Sequence, residues 1–284
     1  MSSTSHPDHD AAWLAVLERR LGAAVRILAR APLTGGYVAE SVERVELSVG
    51  GRERTVVLKA AGPVEVAAMR AVAVAAAAPR ALAIGPDWLV LPFVDAPPLP
   101  PADPVPDPVW RTLAAVHAHW LGRRPRGVPV VDAAWWTALC DHTLVAVRGG
   151  RGRTGEREFA DAERALLSWR TDPAIAGALA RMPRTLVHGD AHRGNILGCD
   201  DEAVLIDWGN ARVAPAALDR ATLCAQDATP PPWFPEPPAA ERHWAVVQVH
   251  VQYLRFAADH LGAARVGEMV ETAADALARL RALR

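Results

Sequence analysis

Leu186-Val-His188-Gly-Asp190-Ala-His192-Arg-Gly-Asn195-Ile-Leu197, followed by Val204-Leu-Ile-Asp207-Trp208, is the stretch on which the reading of this chain turns. Two short apolar runs, Thr185 to Val187 and Val204 to Ile206, flank a polar cluster, as brief buried strands do when they carry a loop between them. Asp190 and Asn195 stand five positions apart, so two oxygen-bearing side chains converge from one loop. Asp207 ends the second apolar run twelve positions after Asn195, and a tight hairpin brings its carboxylate to the same place. Such hard oxygen ligands suit magnesium, which keeps water and substrate oxygens in its shell and needs few protein ligands. Asn195 is one of two asparagines in the chain, the other being Asn210.

Upstream, the cations are as informative as the anions. Of the 31 basic residues only Lys59 is a lysine. In a chain that otherwise uses arginine, this marks a position where a compact ammonium is needed and a planar guanidinium does not fit. Lys59 ends the last of three strand-like runs, Val25 to Leu33, Val38 to Val49 and Arg54 to Lys59. Adjacent glycines at Val49-Gly50-Gly51-Arg52 accept the positive φ of a hairpin turn, so an antiparallel meander is predicted. A short amphipathic helix over Ala11 to Leu21 precedes it, and a helix over Pro63 to Ala78 follows, with proline at its start and Glu65 in its first turn. Ala81 to Ile84 and Trp88 to Val94 read as two further strands. Prolines crowd Asp95 to Pro108 and favour an extended connector. Helices then dominate: Pro108 to Leu121, Asp132 to Val147, Glu156 to Trp169, Pro173 to Arg181, Pro215 to Gln226, and from Ala239 onward. Arg148 to Gly155 reads as a flexible basic loop. The fold class is therefore α+β, with an antiparallel sheet and one main helix in residues 1–94 and a mostly helical second lobe in 95–284.

Composition narrows the partners. With 31 Lys+Arg against 32 Asp+Glu the formal charge is -1, so no global field draws the chain to nucleic acid or an anionic membrane. Substrate choice must come from local charge. No apolar stretch reaches bilayer length, and the first residues lack a basic segment followed by an apolar one, so a soluble, cytoplasmic protein is expected. Cys140, Cys199 and Cys224 are far apart and form no CxxC pair, which indicates neither a disulfide framework nor a zinc site.

The Asp190–Asn195 spacing resembles that of a kinase catalytic loop, where the Asp accepts the substrate hydroxyl proton and the Asn holds magnesium. More closely, His188-Gly-Asp190-Ala-His192-Arg-Gly-Asn195 with Ile206-Asp207-Trp208 is similar to the aminoglycoside phosphotransferase and choline kinase superfamily. The likeness extends to Leu33-Thr-Gly-Gly-Tyr37 as a nucleotide loop, Val57-Leu-Lys59 as the lysine strand and Leu113-Ala-Ala-Val-His117 as a helix motif. The resemblance implies a bilobal protein-kinase-like fold, ATP or GTP as donor, Mg2+, and a small-molecule acceptor. It implies Asp190 as base, Asn195 and Asp207 as metal ligands, and Lys59 on the nucleotide phosphates with Glu65 as its partner. Gly35, Gly36 and Tyr37 would cover the phosphates through backbone N–H groups. Leu91 to Val94 falls at the hinge, about residues 91–95, where Phe93 and Val94 offer backbone contacts to adenine. His188 is expected to support the loop, His192 either to approach the transferred phosphoryl or to bond nearby backbone, and Asp219 to be structural.

The acceptor stays open between an aminoglycoside-type or other antibiotic and a metabolic alcohol such as choline, homoserine, methylthioribose or a sugar. Asp132, Asp141, Glu156, Asp161, Asp227, Glu236 and Glu241 are candidate carboxylates for a polycation, and Trp135, Trp136, Trp233, Phe234 and Trp244 candidates for an apolar wall. A pseudokinase would bind nucleotide without turnover. A hydrolase with a metal on His188, Asp190 and His192 leaves Lys59 and the two-lobe pattern without a purpose.

Overall fold

The computed structural model describes residues 7–33, 42–75, 80–198, 201 and 203–283. Its first part is a five-stranded antiparallel sheet in the order β1-β2-β3-β5-β4, built from β1 (Val25–Pro32), β2 (Val42–Val49), β3 (Arg52–Ala60), β4 (Ala83–Ile84) and β5 (Trp88–Pro92). Val49 pairs with Arg52 across Gly50 and Gly51, whose φ values of 55° and 83° make the predicted tight turn. Alternation along the strands decides what each face does. Val45, Leu47, Val56 and Leu58 turn inward with Trp88 and Val90, and the helix α1 (Pro7–Leu21) closes this core with Trp13 and Leu17. Lys59, one residue beyond Leu58, faces the opposite side, where the helix α2 (Pro63–Val74) lies.

The connector after β5 stays extended, as its prolines require, and docks by Leu99 N–H to Ile196 O at 2.8 Å. The rest is helical: α3 (Asp107–Trp120), α4 (Ala133–Thr154), α5 (Arg157–Trp169), α6 (Pro173–Arg181), α7 (Ala217–Cys224), α8 (Ala239–Phe256), a π-helical turn Ala257–Leu261, and α9 (Ala263–Ala282). Two short strand pairs interrupt it: β6 (Thr185–Val187) with β9 (Arg212–Ala214), and β7 (Ile196–Leu197) with β8 (Val204–Leu205). One core is filled by α4, α5, α6, α8 and α9 around Trp136, Phe159, Leu166 and Trp244. A second is shared: Val66 and Met69 of α2 pack with Trp110 and Leu113 of α3 and with Leu186, Ile196, Leu205 and Trp208. That shared core fixes the sheet's helix against the polar loops.

Residues 148–155, expected as a flexible loop, are the last turns of α4, which ends at Gly155 with a left-handed φ of 71°. Arg148 and Arg151 both reach Glu163 of α5 at 2.8 Å, one to each carboxylate oxygen. Gly150 lies under the Phe159 ring, so close that a Cβ there would stand 2.4 Å from the ring. Packing against α5 thus overrides the low helix propensity of the glycines. Among the described residues no helix is long and apolar enough to cross a membrane.

Candidate active site

The site is assembled around the loop that follows β6. Gly189 takes a φ of 77°, and a Cβ there would fall 2.3 Å from Asn210 O, so only glycine lets the two segments touch. Asp219 of α7, wholly buried, anchors the turn: it accepts His188 N–H and Gly189 N–H, each at 2.8 Å, and lies 2.9 Å from His117 Nε2. Burial raises its proton affinity, but His117 and the backbone donors outweigh burial and hold the carboxyl below the usual range. His188 supports the loop from inside. In the tautomer protonated at Nε2 it donates to Ile206 O at 2.8 Å, while Nδ1 accepts Asp190 N–H at 3.2 Å. Burial lowers its pKa, and its ring meets Trp208 edge-on at 4.7 Å. With both nitrogens used, His188 has none left for a metal. On the other side of the loop, Arg212 Nη2 and Gln252 Nε2 donate to Gly189 O at 2.7 and 2.9 Å.

These supports aim the Asp190 carboxylate. Oδ1 accepts the Tyr253 hydroxyl, and Oδ2 accepts Asn210 Nδ2 at 2.9 Å. His192 Nε2 stands 3.9 Å from Oδ2, and its Nδ1 accepts Gly194 N–H at 3.0 Å, so of its two sequence expectations the backbone bond is present. Asn195 donates Nδ2 to Asp190 O at 3.0 Å, which commits the amide nitrogen and leaves Oδ1 as its acceptor atom. The β7–β8 hairpin, closed by Ile206 N–H to Asn195 O at 2.8 Å, then carries the chain to Asp207. Asp207 has a φ of 62°, an uncommon conformation for a residue with a side chain, next to the polar cluster.

Lys59 completes the arrangement. Its ammonium is 2.8 Å from Glu65 Oε1 and 2.9 Å from Asp207 Oδ1, although Asp207 is 148 positions away in sequence. Burial disfavours the charged amine, yet Glu65 and Asp207 together raise its pKa. Burial likewise disfavours the Asp207 carboxylate, but Lys59, chiefly, lowers its pKa on balance. Lys59 and Asp207 are therefore both ionised at neutral pH.

Lys59 and Glu65 thus pair as the resemblance implied, Asp207 joins them directly, and Asp190, His192 and Asn195 share one loop. Phe93 and Val94 follow the end of β5, with the Arg44 guanidinium 5.2 Å from the Phe93 ring. Gly35, Gly36 and Tyr37 lie outside the described residues. Four groups were not foreseen in these positions: Tyr253, Asn210, Gln252 and Arg212. Only rarity signalled any of them, since Tyr253 is one of two tyrosines and Asn210 one of two asparagines.

A polar loop on a helical body, beside a lysine that an antiparallel sheet carries and a helix carboxylate pairs, is the arrangement of a small-molecule kinase of the protein-kinase-like fold. Comparison with known families agrees. The chain belongs to the phosphotransferase enzyme family (APH), whose model matches residues 49–250. No curated protein matches it significantly in sequence. Among solved structures, it is similar to a choline/ethanolamine kinase family protein from Mesorhizobium loti, at 18% identity and a TM-score of 0.54 over 90% of this chain and 88% of that one. A choline kinase from Cryptosporidium parvum gives 10% identity and 0.55 over 91% and 90%. A spectinomycin phosphotransferase, solved with ADP and spectinomycin, gives 11% and 0.51 over 95% and 96%. At such identities the likeness is one of fold.

Proposed function

We propose that this phosphotransferase moves the γ-phosphoryl group of ATP or GTP to a hydroxyl of a small molecule, with Asp190 as base. The acceptor oxygen forms a bond to the γ-phosphorus, the bond to the bridging oxygen breaks, and the nucleoside diphosphate leaves with that electron pair. The acceptor proton passes to the Asp190 carboxylate. The observation that carries this is the convergence of Lys59 with Glu65 and Asp207, beside the loop that bears Asp190 and Asn195. Lys59, held charged and oriented, would meet the nucleotide phosphates. Gly35, Gly36 and Tyr37 would cover them, and the backbone of Phe93 and Val94 would meet the base of the nucleotide. We assign residues 1–94 to the nucleotide lobe and 95–284 to the catalytic lobe.

The donor set fits magnesium: Asn195 keeps its carbonyl oxygen free of its own amide's bond, and Asp207 offers a half-exposed, ionised carboxylate. A magnesium ion held there would neutralise phosphate charge during transfer. His192, kept within 3.9 Å of the base, would lie near the transferred group.

For the acceptor we favour an antibiotic-type natural product, by analogy with the spectinomycin phosphotransferase neighbour. Several carboxylates that would greet a polycation are occupied. Asp132 caps α4, Asp141 binds Arg170, Asp161 binds Arg157 and Arg164, and Glu236 binds Arg220 and Arg242. This favours an acceptor with few positive charges. Incubation with Mg2+, ATP or GTP and a panel of hydroxylated natural products and metabolic alcohols should add one phosphoryl group, read by mass spectrometry, and Asp190→Asn should slow its appearance by about 10²-fold or more. Nucleotide binding with no product from any acceptor, metabolic alcohols included, would identify a pseudokinase instead.

A further inference from the structure

The Asp190 carboxylate has two oxygens, and each already accepts a side-chain donor. Asn210 holds Oδ2 from a segment that cannot easily withdraw, because its own carbonyl accepts Arg212 Nε at 3.0 Å and lies against Gly189. Oδ1 is held differently. Its partner is the hydroxyl of Tyr253, on α8, 63 positions away in sequence. A phenol is an alcohol in hydrogen-bonding terms, so Tyr253 puts on the base the same O–H group that an acceptor must put there. Asn210 is an amide and offers no such likeness. Tyr253 also sits one turn before the point where α8 gives way to the π-helical turn Ala257–Leu261, a winding that often marks functional sites.

A kinase base that is open to solvent has an obvious fault. Water can take the acceptor's place: its oxygen bonds to the γ-phosphorus, the bond to the bridging oxygen breaks, and the nucleoside diphosphate leaves with the electron pair. The water proton goes to the carboxylate, and the product is orthophosphate. A protein donor on Oδ1 competes with water for that oxygen and makes it a weaker acceptor of water's proton.

We propose that Tyr253 is a positioning residue that gates Asp190: its hydroxyl occupies Oδ1 until an acceptor hydroxyl replaces it, and so suppresses transfer to water. This rests on Asp190 being the base. Burial, then the charge of Asp190, push the phenol's pKa well up, so the gate stays a donor rather than becoming a phenolate nucleophile. Gln252, the preceding residue on α8, donates to Gly189 O at 2.9 Å and keeps the helix seated while the ring moves.

The test compares wild type, Tyr253→Phe and Tyr253→Phe/Asp190→Asn. Orthophosphate release from magnesium ATP is measured with no acceptor present, alongside the rise in Tm that the nucleotide causes. Tyr253→Phe should hydrolyse ATP about tenfold faster than wild type, the factor for losing one hydrogen bond to a charged group. The double variant should lose the gain, and all three should show the same nucleotide-induced rise in Tm. A gain is the telling readout, because mere structural damage lowers both reactions. Tyr253→Met, which also lacks a donor, should behave as Tyr253→Phe does. Hydrolysis unchanged or slower in both single variants, with the Tm rise intact, overturns the gate alone. Phosphate found covalently on Tyr253 overturns it too, because the phenol would then be an acceptor. If nucleotide fails to raise the Tm of the wild type, the phosphotransferase site itself is misassigned, and the gate falls with it.

Discussion

The proposed base must be held in one direction, and Asp190 is held by Tyr253 and Asn210 while Asp219 fixes the turn behind it. Asp190→Asn keeps the size and loses the base, so transfer should fall by about 10²- to 10⁴-fold in a steady-state assay, with nucleotide binding largely spared. Lys59 is a compact ammonium between two carboxylates 2.8 and 2.9 Å away. Lys59→Arg keeps the charge but replaces a point donor with a planar fork, and should lower kcat by about 10²-fold or more. His188 sets a pH response. Its folded pKa lies below its unfolded value of about 6.5, so its contribution to stability is complete above that pH and is lost as pH falls towards the folded value. Asp219, a depressed carboxyl, keeps its contribution throughout that window and loses it only in strong acid. Melting curves should therefore show Tm falling as the pH drops below about 6.5, with a shallower slope in His188→Gln. At this scale the site was legible where its residues share one short segment, as Asp190, His192 and Asn195 do. Tyr253 was not, because nothing local ties position 253 to position 190.

Among the elements, α4 separates local preference from packing most clearly. Gly150 and Gly152 both lie in its last turns, and on propensity alone alanine at either should help by about 0.5 to 1 kcal/mol. Their surroundings differ. A Cβ at 152 meets nothing within 4 Å, whereas one at 150 would stand 2.4 Å from Phe159. Chemical denaturation should show Gly152→Ala stabilised by about 0.5 to 1 kcal/mol and Gly150→Ala destabilised by about 1 to 3 kcal/mol. Equal effects at the two positions would mean that α4 and α5 do not meet there. The other elements were legible because their signals are local: Pro63 opens α2, Asp172 caps α6 by accepting from Ala174 N–H, and two glycines turn the β2–β3 hairpin. The helix through residues 148–154 was not, since the ring and the carboxylate that favour it belong to α5.

Across the whole molecule, the sheet and the helical body are joined on an apolar side and on a polar one. The shared apolar core binds α2 to α3 and to the strands around the loop, and the Lys59–Asp207 pair spans the polar side. On the proposed function a nucleotide between them would bind only the folded chain, so at about 100 times its Kd it should stabilise that chain by about 2.7 kcal/mol. Thermal unfolding with and without magnesium ATP measures this, and Lys59→Ala at the same nucleotide concentration should lose most of the gain.

The chain of residues alone determined the alternation and helical periods that make an α+β fold, the spacing that sets Asp190 five positions before Asn195, and the singular lysine at 59. Those are properties of neighbours, and covalent geometry carries them into local structure without help. The tertiary structure decided which distant groups meet: Lys59 with Asp207, Tyr253 with Asp190, and Gly150 with Phe159. Such meetings depend on how two apolar cores close around buried side chains, and that closure sums contributions from every element at once.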